Sequence, residues 1–414
     1  YSTLKTKKIQ ETIGNKKMNL LLLALISMFL QQSFVTIGKV LPSVLAPAIF
    51  LDLDIAPSWL GVYVGIISAV SIFVQAGCGS FIVRHGALRV SQASLLLTVL
   101  GLALAAPGYI TLMILSAAAI GASASSTPAS SHLLGRYSPE KYAPLVFSIK
   151  QTAVPAGLLA AGLVGPALTE AYGWRYALLI IAFAGAMFTL VLELERREFD
   201  NDRDPSKKFH FSDLKSTILL VLGATDLRAL AFACFAFVGL QFTFIAYFVI
   251  YLTELGFGLV EAGAIFSIST IVAIPGRIFW GWLSSSYVRP RVMLGLLALL
   301  MFVSNCFVSL FDTDWQNWQI TLAAAGISAS VFSWHGVTLA EVSRKAPKSM
   351  RGSATGGVLC FGQFGGLILP LIYSVLLSTT GSYQIGFVVC AVPALLVGTV
   401  LLYLAWPKRG LKSS

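Results

Sequence analysis

The chain has 414 residues, of which 57% are hydrophobic and only 11% are charged. A typical soluble domain carries about 25% charged residues, so a soluble protein this apolar could not cover its surface with polar groups. The composition therefore excludes a soluble globular protein and predicts an integral membrane protein. The formal net charge of +11 follows from where the basic residues lie along the chain.

Twelve apolar stretches are each long enough to cross a bilayer, because a helix needs about 20 apolar residues to span about 30 Å of hydrocarbon. They run over residues 20–47, 58–83, 89–107, 109–134, 143–169, 173–194, 228–253, 259–283, 291–311, 316–342, 351–378 and 383–406. We refer to them in this order as spans one to twelve. They predict an all-α membrane protein with twelve transmembrane helices.

Lysine and arginine concentrate in the two tails and in the turns that follow even-numbered spans. The turns after odd-numbered spans are short, and the only basic residue on that side is Arg175. The positive-inside rule assigns the basic side, and with it both termini, to the cytoplasm. The net positive charge thus indicates membrane orientation rather than nucleic-acid binding. We expect a multi-pass protein of a bacterial inner membrane.

The chain divides into two halves around a segment of dense mixed charge. We predict a cytoplasmic tail at residues 1–19, six-helix bundles at 20–195 and 227–406, a linker at 196–226 and a second tail at 407–414. A short helix is expected within the linker stretch "FSDLKSTILL". The segment "SIFVQAGCGSFI" from Ser71 aligns with "AIPGRIFWGWLS" from Ala273. Two parallel six-span repeats are a transporter plan in which the substrate site lies between the halves near the midplane.

The loop after span two, "GSFIVRHGALR", resembles the G-x-x-x-D-[RK]-x-G-x-x-R signature of the major facilitator superfamily. The residues that match are Gly79, Arg84, Gly86 and Arg89. Val83 stands where that family has an acid, and the second copy, which begins at Gly281, has Ser285 there. The resemblance implies two pseudosymmetric bundles, with these loops acting as cytoplasmic latches. The missing acids weaken the charge clasp that the family uses.

Three cations lie inside predicted spans: Lys39 in span one, Lys150 in span five and Arg277 in span eight. The acids all fall in loops, tails or span ends. An intramembrane charge costs several kcal/mol and indicates a functional site. We hypothesise that a bound anion supplies the missing counter-charge, because a guanidinium fork pairs well with a carboxylate. Each cation could instead extend its charged end to the membrane surface, and a gating or structural role is favoured for Lys150.

The spacing Arg277-x-x-x-Gly281, together with Lys39 and "PSW" from Pro57, is similar to the monocarboxylate porter branch of the superfamily. That resemblance implies that the span-one lysine and the span-eight arginine bind a carboxylate and couple it to a proton. The chain departs from the branch at Ala273, where those porters have an acid. Gln75 is the span-two equivalent of Arg277, whereas nitrate porters have arginines at both positions.

Polar and aromatic residues on neighbouring spans are expected to complete the substrate site. His335 could carry a proton or donate to the ligand, or it could be a packing residue. The remaining predicted site residues are Gln75, Gln151, Gln241, Gln363, Tyr247 and Tyr251.

The sequence contains no catalytic arrangement, no phosphate-binding loop and no metal-binding pattern among its five cysteines and four histidines. We therefore expect neither an enzyme nor a cofactor or metal. We predict a monomeric secondary transporter of a small organic anion that works by alternating access. The expected anion is a carboxylate, and the expected coupling ion is the proton. The alternatives are an anion exchanger, a drug or metabolite exporter, and a sensor or assembly protein built on the same fold.

Overall fold

The computed structural model describes residues 2–139, 143–206, 212–346 and 351–405. Within these ranges all regular secondary structure is helical. The predicted tail at 407–414 lies outside the described residues. The predicted all-α architecture is confirmed.

The helices of the first half are Ser2–Val44, Ala46–Leu53, Trp59–His85, Ala87–Ala105, Ile110–Ala122, Ser126–Tyr137, Ala143–Gln151, Ala153–Tyr172 and Trp174–Glu193. The linker contains helices Arg196–Phe199 and Ser212–Gly223, and the latter confirms the helix expected there. The helices of the second half are Thr225–Glu254, Leu259–Ile271, Ala273–Ser286, Pro290–Val308, Asn317–Val331, His335–Lys345, Arg351–Thr380 and Tyr383–Ala405.

Eleven helical stretches in the described part of the chain are long and apolar enough to cross a membrane. Span two would be the twelfth, and it is bent by 61° between Trp59–Gln75 and Gly77–His85. Counting this bent pair as one span gives the predicted twelve. The apolar stretches of the sequence therefore locate the spans correctly, because hydrocarbon thickness sets the length of each one.

Spans five and ten are each interrupted within their length. In span five, helix Ala143–Gln151 ends and Ala153–Tyr172 begins after Thr152. Pro155 follows Gln151 by four residues and has no N–H, so the Gln151 carbonyl loses its helical partner. In span ten, the helix ends at Val331 and resumes at His335. Such breaks leave carbonyl groups free to bind other partners.

The two halves pack closely on the side away from the basic loops. Spans five and eight meet at Gly162 and Gly263, where a Cβ on Gly263 would lie 2.3 Å from the Gly162 carbonyl oxygen. The Ser267 hydroxyl donates to the Leu159 carbonyl across the same contact, at 3.0 Å. Spans two and eleven meet at Gly61 in a similar way. The halves are therefore closed on the side away from the basic loops, which is the predicted external side.

We expect Gly263→Ala to open this external contact, because its methyl group would collide with backbone rather than with a movable side chain. Overpacking of this kind costs about 1–3 kcal/mol. The variant should increase the rate at which an impermeant thiol reagent, added from outside, labels a cysteine placed at Ser43. Gly258→Ala is the matched control, since a Cβ at Gly258 meets no atom within 4 Å. Unchanged labelling in Gly263→Ala would show that this contact does not hold the external side closed.

An acid from the linker occupies the turn between spans two and three. The Asp200 carboxylate accepts hydrogen bonds from the backbone N–H of Leu88 at 2.7 Å and of Arg89 at 3.0 Å. It lies against Gly86, whose φ of +97° and missing side chain leave room for it. Burial raises the pKa of the Asp200 carboxyl above its ordinary value, although the two backbone hydrogen bonds oppose that shift. Asp200 thus caps the N-terminal end of span three. It lies outside the signature loop, which has valine at the position where the superfamily has an acid.

Asp200→Ala is expected to lower the free energy of unfolding by about 1–2 kcal/mol, as the loss of a helix cap does. Asp200→Asn should have a smaller effect, because asparagine keeps an acceptor and burial disfavours the charged carboxylate. Thermal unfolding of the purified protein measures both variants, with the exposed Glu198→Ala as control. Equal destabilisation by alanine and asparagine would contradict the capping role.

Candidate functional site

A cavity of about 240 Å³ lies between the two halves near the middle of the spans. Spans one, two, four, five, seven, ten and eleven contribute to it. Its polar lining residues are Gln32, Thr36, Lys39, Ser43, Gln75, Ser123, Ser126, Thr127, Gln151, Gln241, His335 and Gln363. A pocket lined by apolar walls and a few convergent polar groups is typical of a small-molecule site.

Among the described residues that line this cavity, only Lys39 is a lysine, arginine, aspartate or glutamate. Its ammonium nitrogen lies 4.5 Å from the centre of the Phe242 ring, which reaches across from span seven. This cation–π contact holds the charge at the boundary between the halves. No ion pair found in the described ranges includes Lys39. The ammonium group can therefore donate to an anionic ligand.

A hydrogen-bond network between spans one and four fixes one wall of the cavity. The Gln32 side-chain oxygen accepts from the hydroxyls of Ser126 at 3.1 Å and Thr127 at 3.0 Å. The Ser126 hydroxyl also lies 3.0 Å from the side-chain oxygen of Gln31. Interhelical bonds of this kind orient polar side chains inside a membrane bundle.

Arg277 does not line the cavity but joins the halves beside it. Its Nε donates to the Phe332 carbonyl at 2.8 Å, and its Nη1 donates to the Gln151 carbonyl at 2.6 Å. Both carbonyls are at helix breaks, where the C-terminal ends of helices carry partial negative charge. Gln151 belongs to the first half and Phe332 to the second. Arg277 is therefore a tie across the two halves, and its partners in this conformation are backbone groups.

Lys150 is fully buried, and its ammonium nitrogen has no hydrogen-bond partner in the part of the chain that the structure describes. It is close enough to Arg277 for the two positive charges to repel each other. No ion pair of the described residues includes Lys150 or Arg277, so these two neighbouring cations make the contact between spans five and eight electrostatically unfavourable. An anion nearby would relieve that repulsion.

The structure brings six of the ten predicted binding residues to the cavity: Lys39, Gln75, Gln151, Gln241, His335 and Gln363. It places Arg277 and Lys150 beside the cavity and the two tyrosines away from it. The Tyr247 hydroxyl donates to the Pro370 carbonyl at 3.4 Å, and the Tyr251 hydroxyl donates to the Phe311 carbonyl at 3.0 Å. Both rings are buried in an aromatic cluster within the second half. In this conformation they pack helices together.

The predicted latch loops are held by acids that lie outside the signature. Arg89 pairs with Glu193 at 3.3 Å in the first half. In the second half, Asp226 pairs with Arg291 at 2.6 Å and with Lys345 at 2.8 Å. A Cβ at Gly79 or Gly281 would meet no atom within 4 Å, so neither glycine is in a close contact here. The latch roles of Gly79, Arg84, Gly86, Arg89 and Gly281 stay predictions.

Sequence reasoning missed several cavity residues, above all Phe242, Gln32 and the hydroxyls of span four. Phe242 directly follows Gln241, which the sequence singled out. Whether a residue or its neighbour faces the cavity depends on the rotation of the helix, because adjacent residues point about 100° apart. Nothing in the local pattern of these long apolar helices sets that rotation.

The fold and the cavity together define a multi-pass helical membrane protein with a central polar site between two six-span halves. Residues 21–356 match the family model described as Major Facilitator Superfamily. The chain belongs to that superfamily, whose members are transporters rather than enzymes.

Relatives from two bacteria match parts of the chain. A probable galactarate/D-glucarate transporter of Escherichia coli, GudP, is 25% identical over 210 residues, covering 48% of this chain and 44% of that protein. A probable nitrate/nitrite transporter of Mycobacterium tuberculosis, NarK2, is 30% identical over 157 residues, covering 36% of this chain and 38% of that protein. The chain thus matches less than half the length of each relative.

Solved structures of the same fold align over nearly the whole chain. The nucleoside transporter NupG has a TM-score of 0.72 at 14% identity, covering 91% of this chain and 99% of that one. A peptide transporter POT in complex with sulfate has a TM-score of 0.72 at 14% identity, covering 92% and 94%. A bacterial homologue of the human lysosomal transporter Spinster has a TM-score of 0.71 at 16% identity, covering 93% and 97%. These likenesses show the fold alone.

Proposed function

We propose that this protein is a secondary transporter of small organic anions that works by alternating access, with the anion's carboxylate bound at Lys39. The observation that carries the proposal is the charge of the cavity. Lys39 is its single charged residue within the described lining, and no carboxylate of the described chain pairs with it. An unpaired buried cation attracts an anion and disfavours a cationic ligand.

The names of the partial relatives support the class of substrate. One is described as a galactarate/D-glucarate transporter and the other as a nitrate/nitrite transporter, and all of these substrates are anions. The resemblance of Lys39 and Arg277 to the monocarboxylate porter branch supports an organic anion. Because the matches cover less than half of each relative, the proposal rests mainly on the charge of the cavity in this protein.

Arg277 and Lys150 give a means by which anion binding can change the conformation. For Arg277 to contact the cargo, as its sequence predicts, it must first release the Gln151 and Phe332 carbonyls. An anion at the cavity attracts both cations and weakens this tie between the halves. A ligand shifts a conformational equilibrium only if it binds the two states with different affinities. The charges of Arg277 and Lys150 provide such a difference for an anion. We propose protons as the coupling ion, with His335 as the candidate carrier because it lines the cavity and its Nδ1 has no hydrogen-bond partner among the described residues.

The test is a stability and uptake screen on purified protein in lipid. Small carboxylates should raise the melting temperature, because a ligand that binds only the folded state stabilises it by mass action. The same compounds should be taken up by proteoliposomes, and a proton gradient should drive that uptake. Stabilisation by cationic or neutral drug-like compounds, with no response to carboxylates, would overturn the proposal in favour of an exporter. Uptake that needs a counter-anion inside and ignores the proton gradient would replace proton coupling with exchange.

A further inference from the structure

Two amides in the cavity have side-chain oxygens with no hydrogen-bond partner in the described ranges: Gln241 of span seven and Gln363 of span eleven. Gln241 is only 7% exposed. Trp334, which also lines the cavity, is fully buried, and its indole N–H likewise has no partner among the described residues. Buried polar groups are normally paired, so these three atoms indicate a ligand with matching polar groups.

The chemistry of these atoms distinguishes between kinds of anion. An ionised carboxylate only accepts hydrogen bonds, so it can satisfy Lys39 and the Trp334 N–H but not an amide oxygen. An amide oxygen needs a donor. A hydroxyl group both donates and accepts, and it would also match either amide if the amide turned to present its NH₂ group. An ammonium donor is disfavoured, because Lys39 repels it and no acid is present in the described lining.

The charge of the cavity sets the number of carboxylates. Lys39 can neutralise one, and the nearby guanidinium of Arg277 already donates to two carbonyls. A second carboxylate inside the lining would lie among amides and hydroxyls, because Lys150 and Arg277 are beside the cavity and not in its lining. A buried charge without a contacting counter-charge is strongly unfavourable. The cavity of about 240 Å³ also limits the ligand to a small molecule.

We propose that the substrate is a small hydroxylated monocarboxylate, with its carboxylate on Lys39 and its hydroxyl groups donating to Gln241 and Gln363. This inference rests on the proposed anion transport and refines it. Gln241 and Gln363 then determine the specificity for hydroxyl groups, and Lys39 limits the substrate to one negative charge.

The experiment compares four probes of similar size on the purified full chain in lipid nanodiscs. Gluconate has one carboxylate and several hydroxyls, hexanoate lacks the hydroxyls, glucarate has a second carboxylate, and glucose has no charge. Dissociation constants are measured by calorimetry or by thermal shift. We expect gluconate to bind at least about tenfold more tightly than each of the others, because a site built to bond hydroxyls rejects analogues that lack them.

Gln241→Leu and Gln363→Leu test the residues themselves. Each should weaken gluconate binding by about tenfold, the loss expected for about 1.4 kcal/mol, and should leave hexanoate binding within about twofold. Gln384→Leu is the matched control, since Gln384 is at the external end of span twelve and outside the cavity lining. A merely structural role of either amide would weaken gluconate and hexanoate binding equally.

The outcomes separate this inference from the proposed function. Equal binding of hexanoate and gluconate would overturn the hydroxyl specificity and leave anion transport intact. Tighter binding of glucarate than of gluconate would overturn the single-carboxylate assignment. Binding of glucose alone, or of none of the three carboxylates, would overturn both the inference and the proposed function.

Discussion

Arg277→Gln is expected to reduce transport by about 10- to 100-fold while changing the affinity for a carboxylate by less than about threefold. The guanidinium ties the Gln151 and Phe332 carbonyls together across the halves, and it does not line the cavity. A hydrogen bond to a charged group contributes about 1.5–3 kcal/mol, and about 1.4 kcal/mol corresponds to a factor of ten. The loss therefore affects the balance between conformations more than the binding of the ligand.

Arg277→Lys distinguishes charge from geometry. A lysine keeps the positive charge but has one compact donor group, which cannot reach two carbonyls on different helices as a planar fork does. We expect Arg277→Lys to resemble Arg277→Gln in transport rate. Arg289→Gln is the control, because Arg289 is exposed in the basic loop after span eight. The measurements are initial uptake rates in proteoliposomes and dissociation constants in nanodiscs.

A tenfold or greater loss of carboxylate affinity in Arg277→Gln would contradict this expectation. It would show that Arg277 contacts the cargo directly, as the sequence predicts. If Arg277 ties the two halves together, Arg277→Gln changes mainly the transport rate. If Arg277 contacts the cargo, the same variant changes mainly the dissociation constant.

Lys39→Met is expected to weaken the binding of a small carboxylate by about 10- to 100-fold, from the loss of a charge-assisted hydrogen bond of about 1.5–3 kcal/mol. Methionine has a similar length and preserves the contact with Phe242 without the charge. The melting temperature of the ligand-free protein should stay equal or rise, because the variant removes a cation that lacks a counter-charge. The shift in melting temperature produced by carboxylates should disappear.

Lys39→Arg keeps the charge and serves as the matched control. It should retain more than half of the ligand-induced shift, whereas Lys39→Met should retain almost none. Normal binding and uptake of carboxylates by Lys39→Met would remove Lys39 from the site. It would also remove the single observation on which the anion assignment rests.

The sequence alone identified the residues around which the site is built. Six residues stand out because a charged or polar side chain inside an apolar span indicates a functional site. They are Lys39, Gln75, Gln151, Gln241, His335 and Gln363. All six line the cavity. The sequence pattern is less specific for Tyr247 and Tyr251, because aromatic residues also commonly pack between helices. The structure places both tyrosines in such packing.

The missing signature acid shows the limit of local reasoning. Val83 stands at the acidic position, and the sequence therefore predicts a weakened clasp. The structure places Asp200, more than one hundred residues later, against the turn at Gly86 and the N–H groups of Leu88 and Arg89. The linker stretch "EFDNDRD" is acidic in sequence, but several of its carboxylates could have reached this turn.

Hydropathy determined the helical class and the positions of the spans, and the distribution of basic residues predicts their orientation. These properties depend on the free energy of moving each segment between water and hydrocarbon, which is a local quantity. Only the tertiary structure decided which embedded cation faces the cavity and what Arg277 binds. Those contacts depend on the rotation of each helix and on the free carbonyls at the breaks near Gln151 and Phe332. Both arise from packing between spans that lie far apart in the chain.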